Sequence, residues 1–233
     1  MGHHYYQSTR DNTAAFSCFQ VKDPWSALTH FIGFLFAVFF SSPLLIHATQ
    51  MGASFKALTS LSIFMISMAL LYGASTAYHT FLVDEKKSLI LKKLDHTMIF
   101  VLIAGTYTPL CTCVLPEKSG TVLLIVVWAI ALLGIGFKLF FVNCPKWVSS
   151  VLYIGMGWSC LAVFPQLFRL MNRPSFCYLL IGGIIYTVGG LLYALKLKKL
   201  NELSPSFGSH EIFHVCVMLG SFFHYLTMYN CIK

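Results

Sequence analysis

The chain predicts an all-α membrane protein, a bundle of seven transmembrane helices. Two observations carry that reading. Of its 233 residues, 57% are hydrophobic and only 10% are charged, whereas soluble domains carry about 25% charged residues. The apolar residues also gather into seven runs, each long enough to cross ~30 Å of hydrocarbon as a helix of about 20 residues. The net charge of +8 sits in short gaps between runs. That placement suits membrane orientation and anionic lipid, not nucleic acid.

The first 22 residues include Tyr5, Tyr6, Arg10, Asp11 and Lys22 and contain no apolar core. Residues 1–23 therefore read as a short cytoplasmic segment rather than a cleavable signal, and residues 24–233 as the transmembrane domain. The first span is expected over about Trp25 to His47. Asp23 suits its N-cap, Pro24 its first turn, and Pro43 should kink its far end. The second runs from about Phe55 to Phe81, and the third from about Leu89 to Cys113 with Pro109 in its last turns. The fourth covers about Gly120 to Phe141 and the fifth about Trp147 to Pro165. The sixth, about Phe176 to Leu195, carries Gly182-Gly183 and Gly189-Gly190, a smooth face for a neighbouring helix. The seventh runs from about Ser209 to Ile232. None of the eight cysteines forms a C-x-x-C motif. Most lie in apolar runs as small hydrophobes, while Cys111, Cys113 and Cys231 share one side, where a disulfide could form.

With the N-terminus cytoplasmic, eleven Lys and Arg residues fall inside and five outside. The positive-inside rule then sets the N-terminus in the cytoplasm and the C-terminus outside the plasma membrane. This orientation brings chemistry-bearing residues to one depth. His79 ends the second span, with Ser75 one turn deeper on the same face. Asp95 lies in the first turns of the third span. His210 and His214 open the seventh, four residues apart and therefore on one face. Ionisable residues in a membrane usually mark function.

Three imidazoles plus an exchangeable fourth position describe an open zinc site. Asp95 would hold a water, act as general base or orient a ligand imidazole, and Ser75 would hold the water or a developing oxyanion. Bland roles compete. His79 could snorkel to the interface, Asp95 could pair with Lys92 or Lys93, and Ser75 could back-bond to a carbonyl. His30 lies near the right depth and suits the lining of a cavity. His224, about 21 Å beyond His210 along the helix, is too deep for the same metal. His210-Glu211-x-x-His214 also matches the H-E-x-x-H signature of zinc proteases, with Glu211 about 60° from His214 around the helix.

The sequence resembles the hemolysin III family, the bacterial branch of the progestin and adipoQ receptor superfamily. The resemblance rests on Ala27-Leu28-Thr29-His30-Phe31-Ile32-Gly33, Ser75-x-x-x-His79, Leu94-Asp95-His96, Ala104-Gly105-Thr106-Tyr107-Thr108-Pro109 and Ser209-His210-Glu211-Ile212-Phe213-His214. It implies a seven-helix fold with zinc on His79, His210 and His214, and with Asp95 and Ser75 beside the metal. It also implies membrane lipids as partners and links to lipid amide hydrolysis, hemolysis and membrane lipid homeostasis. Adiponectin receptors carry a longer N-terminal region, so a hormone-receptor role does not transfer. The expectation is a zinc-dependent hydrolase of lipid amides or esters. The alternatives are a non-enzymatic sensor or hemolysin with structural zinc, and an intramembrane metalloprotease.

Overall fold

The computed structural model describes residues 20–195 and 207–231. The N-terminal residues up to 19, with Arg10, and Lys196, Lys198 and Lys199 lie outside the described residues. Seven helical segments are long and apolar enough to cross a membrane, and the described residues contain no strand. The first four spans are α1 (Pro24–Gln50), α2 (Phe55–Thr80), α3 (Glu85–Pro109) and α4 (Glu117–Phe141). The fifth is broken into α5 (Lys146–Gly157), a 3-10 stretch (Trp158–Val163) and α6 (Phe164–Leu170). The last two are α7 (Arg173–Leu195) and α8 (Ser209–Cys231).

Local chemistry sets several of these bounds. Ser54 caps α2 by accepting from the Ala57 amide at 3.3 Å, and Asp84 caps α3 by accepting from the Lys87 amide at 3.0 Å. The Lys87 amide, and then its ammonium, hold the Asp84 carboxyl below its usual range. Pro109 ends α3 as a regular helix, and the chain continues as a π-turn over Leu110–Val114. Pro43 lies inside α1, which runs on to Gln50.

One expectation is corrected. The fifth span does not end at Pro165; it reaches Leu170. Pro165 opens α6, because a first-turn residue has no helical N–H bond to lose. The Tyr107 hydroxyl accepts from the Cys160 amide at 2.8 Å, bridging the third span to the break. Cys111, Cys113 and Cys231 are free thiols, and Cys113 instead sits 3.5 Å from the Ser60 hydroxyl.

The spans are not equivalent. Of the most apolar stretch of each, 61% is buried in the third span, 50% in the second and 44% in the seventh, against 28% or less in the other four. α2, α3 and α8 are thus the inner helices, and Leu133 and Phe140 of α4 face outward. Three of the four paired α7 glycines pack as expected. A Cβ at Gly189 would meet Cys216 and one at Gly190 would meet Ile154, but Gly183 faces open space. The inner helices are the ones that carry Ser75, His79, Asp95, His210 and His214.

Candidate metal centre

Lys22 and Asp23, just ahead of α1, act as a strap across the end of α2. The Lys22 amide donates to the Thr80 carbonyl at 3.2 Å, and the Asp23 amide to the His79 carbonyl at 2.9 Å. Helix C-termini expose carbonyls that need such donors. The strap also delivers a carboxylate. Asp23 stands at the N-cap position but makes no side-chain cap bond. Its Oδ2 lies 2.9 Å from His79 Nδ1 instead. The expected N-cap role is therefore replaced by a contact with a residue 56 positions away.

His79, His210 and His214 come together, one from α2 and two from α8. One nitrogen of each lies within 4.8 Å of the others. His79 Nε2 and His210 Nε2 are 3.4 Å apart. Two nitrogens bound to tetrahedral zinc at ~2.0–2.1 Å would be separated by about 3.3–3.4 Å. The outer nitrogens match as well. Nδ1 of His79 faces Asp23, and Nδ1 of His214 lies 3.3 Å from the Ser26 carbonyl. With those N–H groups donating outward, Nε2 of each ring presents a lone pair inward. His30 stacks on His214 with ring centroids 3.6 Å apart and planes 10° apart, which fixes the plane of that imidazole. The three residues could hold a metal ion.

Asp95 is 7% exposed and lines an apolar cavity together with His30, His210 and His214. Its carboxylate meets His96 Nδ1 at 3.5 Å, but that nitrogen already donates to the Lys92 carbonyl at 2.9 Å. Lys92 bonds Asn143 at 2.8 Å rather than Asp95. Asp95 therefore keeps acceptor capacity beside the histidines. Ser75 is wholly buried and its Oγ has no hydrogen-bond partner. It does not back-bond, whereas neighbouring Thr76 donates to the Tyr72 carbonyl at 2.7 Å.

Glu211 is used differently from a metalloprotease base. Oε1 accepts from the Ser26 hydroxyl at 2.7 Å and Oε2 from the Gly208 amide at 2.8 Å. Both oxygens tie α8 to its own start and to α1, as in a helix capping box. His47 stacks on Tyr229 near the opposite end of α1, and His224 is not in the trio. Asp23 and the His30 stack were not legible as site features. Asp23-Pro24 carries an ordinary helix-start signal, and the contacts that redirect it are long-range.

A family model described as Haemolysin-III related matches residues 19–225. The chain belongs to the haemolysin-III-related family. The chain is 36% identical over 209 residues to the Hemolysin-3 homolog of Bacillus subtilis (strain 168), covering 89% of this chain and 93% of that protein. It is 35% identical over 196 residues to Hemolysin-3 of Bacillus cereus, covering 84% and 85% of the two chains. Progestin and adipoQ receptor-like protein 1 of Caenorhabditis elegans is 26% identical over 214 residues, with 84% of this chain and 49% of that one covered. No solved structure matches the chain. The family and its superfamily thus agree with the resemblance drawn from the motifs.

Proposed function

We propose that this chain is a zinc-dependent membrane hydrolase of lipid amides or esters. The observation that carries the reading is Asp95, a buried carboxylate with spare acceptor capacity, on the wall of the same apolar cavity as His210 and His214. A structural zinc is usually closed by four protein ligands, whereas three histidines gather here. Such a closed site needs neither an adjoining cavity nor an uncommitted carboxylate.

When bound, zinc would supply Lewis acidity and lower the pKa of a water to about 7. His79, His210 and His214 would hold it. Asp23 and the Ser26 carbonyl keep two of those imidazoles in the ligating tautomer. Asp95 takes a proton from the attacking water and returns it to the leaving nitrogen or oxygen. Ser75 Oγ–H, with no other acceptor, donates to the oxyanion. The apolar walls hold the acyl chain and exclude bulk water.

Asp95→Asn tests the reading. The amide is nearly isosteric but cannot accept a proton at neutral pH. Zinc content should persist while lipid turnover falls about 100- to 10,000-fold. Wild-type turnover by the variant refutes Asp95 as the base.

One feature favours a second reading, a sensor or hemolysin clamped by metal. The trio joins two helices, and Asp23 adds the start of a third. In that case Asp95→Asn keeps both zinc and biological phenotype. For orientation, the basic excess supports a cytoplasmic N-terminus in the plasma membrane. A reporter fused after Lys233 should report from outside, and cytoplasmic activity would reverse the assignment.

A further inference from the structure

Seven buried side-chain atoms among the described residues lack a hydrogen-bond partner. Five of them, on His30, Ser150, His210 and His224, belong to residues lining the cavity beside the metal centre. Asp95, His30 and the two ligand histidines mark the metal end. His224 stands apart. It lies fourteen positions after His210 on α8, about 21 Å further along the helix. Phe213 and Val217 precede it on the same stripe and also line the cavity.

His224 is 5% exposed, and its Nδ1 has no partner. Its ring is nevertheless held in place. Tyr186 stacks on it with centroids 5.1 Å apart. The Tyr186 hydroxyl meets Ser221 Oγ at 2.8 Å, and Ser221 in turn accepts from Tyr72 at 2.6 Å. Across the helix contact, Gly182 leaves the imidazole its space, since a Cβ there would lie 3.0 Å from His224 Nε2. A rigidly seated polar side chain, buried and unsatisfied on a cavity wall, is a feature the metal chemistry does not use. An unmet buried polar group is costly unless something bonds it.

We propose that His224 is a second polar anchor of this cavity, hydrogen-bonding a hydroxyl or carbonyl oxygen carried on the lipid chain about 20 Å from the metal centre. The inference rests on the reading of the cavity as a lipid site. A neutral imidazole offers one donor and one acceptor, which a hydroxyl can meet in either sense. A charged group at this depth would be expensive, so the recognised function is neutral. The substrate class is thereby narrowed to lipids polar at two separated points.

The test uses the zinc-loaded protein and two probes of one chain length, hexadecanoic acid and its terminally hydroxylated analogue. Binding is followed by calorimetry and by Trp158 fluorescence, because that residue lines the cavity. Wild type should bind the hydroxylated acid about tenfold more tightly, as one extra buried hydrogen bond implies. His224→Phe should lose the preference while still binding hexadecanoic acid. His224→Asn, which keeps a donor and an acceptor, should retain part of it and serves if the Phe variant does not fold. Equal affinity of the two acids for wild type would overturn the inference, with a buried water satisfying the imidazole. So would an unchanged preference in His224→Phe, or failure of both acids to bind. Preference without lipid turnover removes the hydrolase reading and leaves the anchor. Turnover without preference removes the anchor alone.

Discussion

At the end of the bundle where α2 begins, hydroxyls bond mostly back along their own helix, although Ser60 also meets Cys113 and Thr108 accepts from Trp128. Thr59 donates to the Phe55 carbonyl, Ser60 to Lys56 and Ser62 to Leu58, each four residues back on its own helix. Near the end of α3, Thr108 does the same with Ala104 and Thr112 with Thr108. At the opposite end Thr29 and Thr76 still bond within their own helices, but other groups reach across. His79 meets Asp23 and His210, 56 and 131 positions away, and Ser26 meets Glu211, 185 positions away. Beside them His30 and Ser75 make no hydrogen bond through their side chains. The difference teaches how to read polar residues in a membrane. A hydroxyl that back-bonds within its helix is solving its own desolvation. Groups that reach between helices, or stay unmet, are arranged for something else.

The contrast breaks most visibly at the proposed metal ligands. His210→Ala combined with His214→Ala should abolish stoichiometric zinc and lower the melting temperature, as read by elemental analysis and thermal unfolding. Full zinc occupancy in that variant would dissolve the special status of this end. Next in size comes Asp23. Asp23→Ala should weaken zinc about 10- to 100-fold, the usual cost of removing a carboxylate behind a ligand histidine. Competition with a chelator measures it, and unchanged affinity would return Asp23 to a role in the helix start.

The smallest effect sharpens the comparison through two serines on one helix. Ser60→Ala should shift stability by no more than about 0.5 kcal/mol, because back-bonding stabilises little. Ser75→Ala removes an unpaired buried hydroxyl, so it should leave stability equal or raise it by about 1 kcal/mol. Turnover should fall in Ser75→Ala and not in Ser60→Ala. Thermal unfolding and a lipid assay on both variants decide it, and equal turnover of the two would end the assignment of Ser75 to the site.

Much of this molecule was legible in the sequence because its determinants are local. Seven spans follow from apolar composition summed over about 20 residues. The pairing of His210 with His214 follows from helical periodicity alone. His79, Asp95 and the α8 pair could be assigned a common depth because alternating spans return the chain to the same side. The fifth span departs from its local signals at the end, where Pro165 starts a helix rather than stopping one.

What only the tertiary structure decided was the choice of partners. Asp23 carries a helix-start signature, yet its carboxylate goes to His79 because the strap packs across the end of α2. Glu211 fits a protease motif, yet Ser26 and Gly208 occupy it. Ser75 and Thr76 are adjacent hydroxyls, and only Thr76 turns back to its own helix. The flat stack of His30 on His214 and the reach of the cavity to His224 depend on how closely helices approach. Hydropathy is a sum over neighbours in the chain and survives being read one residue at a time. A hydrogen bond is a matter of ångströms between helices, and the chain alone does not contain that distance.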